Sequence, residues 1–271
     1  MKTKYKIFLA KQIYKIISLF ISKNFVCERK GLKWNIDLSE AIDLHIFLFG
    51  YFEQEIKITA KKMNLNKHKV ILDIGANFGV QSLQFASNFN NSKIFAIEPT
   101  RYAFKKMIKN LDLNRDFAKN IFPEQIFLSS YNKKLPKGVY SSWNLDLDSE
   151  QHMKHKGTKK ETANSKVYTL DEFTDLKKIK NADFIKLDVD GFELDVIKGG
   201  MNYLKIFKPP IFMELAPYLY REFGYSIDEL IDNLRSLNYE FYDMNKLKKI
   251  DNIYSYSKKI NDGSSTNILI L

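Results

Sequence analysis

The stretch Val70 to Val80, V-I-L-D-I-G-A-N-F-G-V, constrains this chain more than any other. Its short apolar run (Val70, Ile71, Leu72) is soon bounded by glycine chemistry. A buried parallel strand ends this way when the chain must turn at once into a helix. Asp73 sits at the strand's carboxyl end. Gly75 and Gly79 permit a tight turn and close backbone approach, and Asn77 is one of the few non-glycine types at ease with positive φ. A helix is predicted over Phe78 to Ser87, its N-terminal amides aimed at whatever occupies the turn.

The spacing decides between two occupants. A dinucleotide fingerprint would place glycines at 75, 77 and 80, where the chain has Gly75, Asn77 and Val80. A loop for S-adenosylmethionine (SAM) instead puts a carboxylate before the first glycine, to meet the methionine amine, and Asp73 fits. The next strand, from Lys93 to Glu98, ends in a carboxylate followed by Pro99. An acid there can accept hydrogen bonds from both ribose hydroxyls. Either acid alone reads as a capping or surface residue. Together, at the ends of consecutive strands, they favour a cofactor site.

A second dense stretch runs from Ala182 to Gly200, A-D-F-I-K-L-D-V-D-G-F-E-L-D-V-I-K-G-G. Phe184, Ile185, Leu187 and Val189 mark a buried strand, and its period of two puts Lys186, Asp188 and Asp190 on one face. Gly191 turns the chain, and Glu193 opens a helix. Two carboxylates and a lysine at a strand's end, with another acid just beyond, are costly to bury for structure alone, which favours catalytic or ligand-binding use. A further strand, from Ile211 to Leu215, carries Glu214 near its C-terminal end.

The remaining segments fill in an alternation of strands and helices. Residues 1–26 alternate lysines with apolar residues at near-helical spacing. Their longest uncharged run is too short to cross a membrane or to form a convincing signal core. Such a basic amphipathic helix can lie on the inner face of an anionic membrane, but packing on its own domain is favoured. Cys27 to Asp37 reads as a hairpin or edge strand, and Ala41 to Met63 as helix broken at Gly50-Tyr51-Phe52-Glu53. That break, with Glu53, either helps to close a site or packs beneath the sheet. Beyond Glu98, a helix is predicted from Thr100 to Leu111 and a third strand from Glu124 to Ser129. Residues 131–166 read as a functional loop, a small hairpin insertion or a lid. A short strand over Val167 to Leu170 leads to a helix capped near Asp171. Ser226 to Leu237 reads as a helix with a capping box, and Tyr239 to Met244 and Asn267 to Leu271 supply the last strands. The expected architecture is a doubly wound α/β sheet with its site along the carboxyl edge.

Composition bounds the alternatives. The length of 271 residues suits one α/β domain with a modest extension, and 45% hydrophobic content supports a core. The single cysteine, Cys27, excludes an intramolecular disulfide and a cysteine-based zinc site, and suits the cytoplasm. Of the four histidines (His45, His68, His152, His155), the last two belong to a polar run rather than to half of a metal site. The net charge of +11 invites a nucleic-acid partner, but the lysines are dispersed and no nucleic-acid motif accompanies them.

The blocks V-I-L-D-I-G-A-N-F-G, F-A-I-E-P, F-I-K-L-D-V-D-G-F-E-L-D-V-I-K-G-G and P-P-I-F-M-E together resemble the FkbM-type SAM-dependent methyltransferases. The resemblance runs from about Cys27 to the C-terminal T-N-I-L-I-L, and the K-L-D-V-D-G-F-E block is its most specific part. The family commonly has glutamate where this chain has Asp190. The resemblance implies a Rossmann-like methyltransferase sheet of seven strands, the last antiparallel, in a domain over 67–271, with 1–66 as an extension packed on it. It implies methyl transfer, usually to a hydroxyl oxygen of a bacterial surface glycan sugar or a secondary metabolite. By it Asp73, Gly75, Ala76, Asn77 and Gly79 line the methionine end of SAM. Glu98, with Pro99, takes the ribose, and Ser129 and Ser130 lie near the adenine.

For the chemistry, Asp188 is expected to be the general base or to orient it. Asp190 and Glu193 would bind acceptor hydroxyls, with Glu53 and Glu214 alongside. Lys186 would keep Asp188 ionised or bind an anionic substituent. In a second version, Asp188, Asp190 and Glu214 hold Mg²⁺, which lowers the hydroxyl's pKa. From a different class, the domain would be a non-catalytic glycan- or nucleotide-binding module. The retained acids at 73, 98, 188 and 193 oppose that reading.

Overall fold

The computed structural model describes residues 3–64, 70–89, 91–131, 134–146 and 157–271. His68, His152, His155 and Lys133 lie outside them. The chain opens with helix α1 (Thr3–Ile17), hairpin β1 (Asn24–Arg29) and β2 (Leu32–Asp37), and helices α2 (Ala41–Phe49) and α3 (Gln54–Lys62). Leu32, Trp34 and Ile36 alternate inward along β2 and are buried. The break between α2 and α3 falls where the aromatic stretch stands. Gly50 at φ 78° ends α2, and Glu53 at φ 49° begins α3.

Next come β3 (Val70–Ile74), α4 (Val80–Asn88), β4 (Lys93–Ile97), α5 (Arg101–Leu113), α6 (Arg115–Ala118) and β5 (Ile121–Glu124). Then follow β6 (Ile126–Leu128), the hairpin β7 (Gly138–Ser141) and β8 (Thr158–Glu161), β9 (Lys166–Tyr168) and α7 (Leu170–Leu176). Thr169 caps α7 in a reciprocal box with Glu172, two residues before the expected Asp171. The remainder is β10 (Phe184–Leu187), α8 (Glu193–Gly199), α9 (Met201–Phe207), β11 (Ile211–Leu215), α10 (Pro217–Glu222), α11 (Ile227–Ser236), β12 (Phe241–Asp243), β13 (Lys248–Lys249), α12 (Ile253–Lys258) and β14 (Thr266–Ile270).

Among the described residues, eight strands form one mixed sheet in the order β13-β12-β14-β11-β10-β3-β4-β5. Strands β5, β4, β3, β10 and β11 run parallel, and β14 inserts antiparallel between β11 and β12. This is the expected Rossmann-like α/β sheet, with the two-residue β13 as an eighth, edge strand. The third strand differs from expectation. The sheet's edge is Ile121–Glu124, while Ile126–Leu128 leaves it to pair with β9.

The period of two sends alternate residues of each strand into two cores. Leu72, Ile74, Ile185 and Leu187 join one core with α7, α8 and α11. Ile71, Phe184, Phe212 and Leu269 join the other, with β2, α2 and α4. Asp73 and Lys186 point to this second face, beneath the N-terminal segment. Within that segment Ile7, Ala10, Ile13 and Ile17 of α1 pack against the same core. Lys106 of α5 is ion-paired with the fully buried Asp43 of α2, tying the segment to the sheet layer.

Candidate active site

A cavity of about 1070 Å³ opens along the carboxyl ends of β3, β4, β10 and β11, where doubly wound sheets hold their ligands. One end is built by the turn after β3. Gly75 and Gly79 take φ of 82° and 83°, and Asn77 takes 51°. Gly75 is required twice over, because a Cβ there would also overlap the backbone oxygen of Asp188. The Gly75 and Ala76 N–H groups both donate to Ile97 O at 2.9 Å, fastening the turn to β4.

Glu98 stands at the end of β4, 5% exposed, and lines the cavity. Its Oε2 accepts from Asn77 N at 3.0 Å, and its Oε1 accepts from Thr100 N at 2.8 Å and Thr100 Oγ1 at 2.5 Å. Burial raises its pKa against these hydrogen bonds. Pro99, Ile126, Phe127 and Leu128 continue the wall beside it as an apolar slot. Ser129 and Ser130 are not in this wall. Ser129 is buried with its backbone carbonyl close against Gly199, and Ser130 donates to Asp195 at 2.9 Å.

Asp73 also stands away from the cavity surface. Fully buried, it accepts from Ser82 Oγ at 2.5 Å, and its Oδ1 lies 3.8 Å from Lys186 Nζ without a hydrogen bond. Burial raises its pKa, opposed by Lys186 and Ser82. Gln81, which composition and spacing do not single out, lines the cavity beside the glycine turn. Its Nε2 donates to Phe52 O at 2.9 Å, and its buried Oε1 has no hydrogen-bond partner. An unpaired acceptor beside the glycine turn, with a doubly held carboxylate and an apolar slot beyond, fits the amine, ribose and adenine of SAM.

The other end of the cavity is a carboxylate basin. Lys186 projects from β10, almost fully buried, and donates to Gly75 O at 2.9 Å while standing 3.2 Å from Asp188 Oδ2. The strand itself stops at Leu187, so Asp188 to Asp190 belong to the following turn, with Asp190 at φ 51°. Oxygens of Asp188, Asp190 and Glu214 converge within 4.8 Å of one another. Glu53 joins them from the break before α3. Four acids around one ammonium leave an excess of negative charge, which protonation relieves. Glu53 is pushed up to about 7 by burial and by Asp188. Asp190 and Glu214 are likewise raised, by burial first and then by Asp188. Lys186 stays above the ordinary lysine value because Asp188, Asp73 and Glu53 outweigh its burial.

Glu193 lies outside the cavity lining. It is fully buried, and its carboxylate accepts from Val189 N at 3.0 Å and Gly191 N at 3.1 Å. It shapes the turn that carries Asp188 and Asp190. Tyr218, Ser264 to Asn267, Val139 and Trp143 complete the basin's walls. The β7–β8 hairpin, which falls within the expected 131–166 loop, is fixed over it by Ala41 N to Trp143 O at 2.8 Å and by Lys160 on Glu40 at 3.2 Å.

The profile of the methyltransferase FkbM domain matches residues 73–241. The chain is 28% identical over 165 residues to the methyltransferase sdnD of Sordaria araneosa, covering 50% of this chain and 62% of that protein. The match thus spans less than two thirds of that relative's length. Among solved structures, a methyltransferase FkbM from Methylobacillus flagellatus aligns at 15% identity with TM-score 0.45, over 76% of this chain and 44% of that one. A SAM-dependent O-methyltransferase from Thermotoga maritima aligns at 12% identity and TM-score 0.45, over 91% and 76%.

Proposed function

This chain belongs to the FkbM methyltransferase family, and from that premise we propose that it transfers the methyl group of SAM to a hydroxyl oxygen of a sugar, a surface glycan or a secondary metabolite. One observation supports this reading above the rest. A single cavity joins the glycine turn, Gln81 and Glu98 at one end to the Lys186–Asp188 pair and its carboxylate neighbours at the other. The catalytic domain spans 67–271, and residues 1–66 form an extension that contributes Glu53 and the aromatic wall to the acceptor side.

Bound at the first end, SAM supplies an activated methyl group. The protein's own work is to hold the acceptor oxygen in line and to take its proton. Asp188 accepts that proton, positioned by Lys186 at 3.2 Å. Asp190, Glu214 and Glu53, whose carboxyls are pushed upward by burial and by Asp188, can donate as well as accept hydrogen bonds, which suits a polyhydroxylated acceptor. Glu193 acts through the turn rather than on the substrate. Screening glycan and polyol acceptors with a labelled methyl donor tests this reading. Turnover lost in Asp188→Asn with SAM affinity retained supports it, and undiminished turnover in that variant removes Asp188 as base.

A second reading has one observation in its favour, the convergence of Asp188, Asp190 and Glu214. Those three could hold a divalent cation that acidifies the acceptor hydroxyl. Lys186 already balances Asp188, so the metal-free version leads.

A further inference from the structure

Helix α1 is apolar on two sides, and only one of them is covered. Ile7, Ala10, Ile13 and Ile17 pack inward, and Tyr14 is buried. On the outward side Phe8 is 62% exposed, Ile16 61%, and Leu19 and Phe20 in the following turn 77% and 83%. Scattered exposed apolar residues need no explanation, but four within 13 residues make a contiguous patch that does. The patch continues on neighbouring elements. Leu9 of α1, Leu48 and Phe49 of α2 and Ile58 of α3 are all exposed, and all four also line the active-site cavity. They are its rim.

Charge selects the partner. Residues 1–27 contain six lysines and no acid. Lys11 and Lys15 flank the apolar line of α1, and Lys61 and Lys62 flank Ile58 at the end of α3. Of the six, Lys23 is paired with Asp146 at 2.8 Å; the acids Glu53 and Glu55 face the cavity. A helix with an apolar outer face and basic flanks matches the interfacial layer of an anionic bilayer, where rings and aliphatic chains enter the acyl boundary and ammonium groups meet phosphates. Among the described residues, no helix is long and apolar enough to cross a membrane, so the helix would lie in the surface.

We propose that the outer face of α1, with the adjoining ends of α2 and α3, docks on an anionic phospholipid surface and sets the rim of the cavity against it. An acceptor carried by a lipid then reaches the carboxylate basin from that surface, a consequence that rests on the methyl-transfer reading. The docking itself does not.

The test is co-sedimentation of the purified chain with phosphatidylcholine vesicles, with and without phosphatidylglycerol, at low and high salt. The comparison variants are Phe8→Ser/Leu19→Ser/Phe20→Ser and Lys15→Gln/Lys62→Gln, each checked for retained circular dichroism and SAM binding. These residues are exposed, so the variants are expected to fold. Binding is expected only with phosphatidylglycerol, weakened at least about tenfold by the apolar variant and also by the lysine variant or salt. A folded wild-type chain that ignores these vesicles overturns the proposal, as does an apolar variant that binds them equally well. A wild-type dimer that the apolar variant dissociates, without vesicle binding, assigns the face to a second copy instead and also overturns it. Because no methyl transfer is read, failure here is distinct from failure of the enzymatic reading.

Discussion

Asp73 and Lys186 are register partners on the adjacent parallel strands β3 and β10, and their charged groups stand 3.8 Å apart beneath the glycine turn. Lys186 also bridges to Asp188 and to the Gly75 carbonyl. One buried ammonium therefore holds the floor of the cofactor site and the proposed base together. Lys186→Met is expected to destabilise the fold by about 3–5 kcal/mol, since it leaves buried carboxylates unpaired. Adding Asp73→Asn should recover part of that loss. Denaturant unfolding of the single and double variants checks this, and strictly additive costs would show that the two groups are not coupled.

Gly75 and Gly79 share a positive φ but not their surroundings. Gly75→Ala combines backbone strain with overlap on Asp188 and should cost about 3 kcal/mol or more. At Gly79 the added methyl meets the flexible Met107 side chain, so Gly79→Ala should cost about 1 kcal/mol. Thermal melts that rank the two in the opposite order would contradict the turn geometry.

Gln81 offers an unpaired buried acceptor at the methionine end. Gln81→Leu keeps the size and removes the acceptor, and should weaken SAM by about tenfold, the value of one hydrogen bond to a charged group. Calorimetric titration reads this directly. An unchanged affinity would place the amine elsewhere.

Glu53 and Glu193 both carry raised pKa values of about 7 in the folded chain. Burial is the first cause in each. An acid raised on folding contributes stability that is complete below its unfolded pKa and is lost as pH rises through the folded one. Stability should therefore decline between about pH 5 and pH 8, by about 5 kcal/mol for the two groups together. Glu53→Gln should flatten that decline. A stability that rises across the same window would contradict the assignment.

Exhaustive chelation separates the two readings of the carboxylate basin. With Lys186 balancing Asp188, turnover should survive chelator and dialysis unchanged. Loss restored by Mg²⁺ alone would favour the cation version.

Much of the site was legible because its chemistry is local in sequence. The turn from Asp73 to Gly79, Glu98 at the next strand end and the run from Lys186 to Asp190 each announce strand, turn and charge within a few residues. What remained hidden depended on partners distant in the chain. Asp73 reads as a ligand group until Lys186 is placed beside it by strand register. Glu193 reads as a free acid until the Val189 and Gly191 amides turn back onto it. The third strand, expected from Glu124 to Ser129, instead ends at Glu124 in the sheet, with Pro123 inside it, because a strand at the sheet's edge tolerates proline. Gln81 has no sequence signature at all, being one polar residue on a helix that happens to face the cavity.

The most direct test of the central claim, that one cavity holds SAM beside a separate base, is calorimetric titration of SAM into the wild-type chain, Glu98→Ala and Asp188→Asn. Micromolar binding is expected in the wild type, lost in Glu98→Ala and retained in Asp188→Asn. A folded, monodisperse wild-type chain that does not bind SAM would contradict the claim outright, and the binding-module reading would take its place.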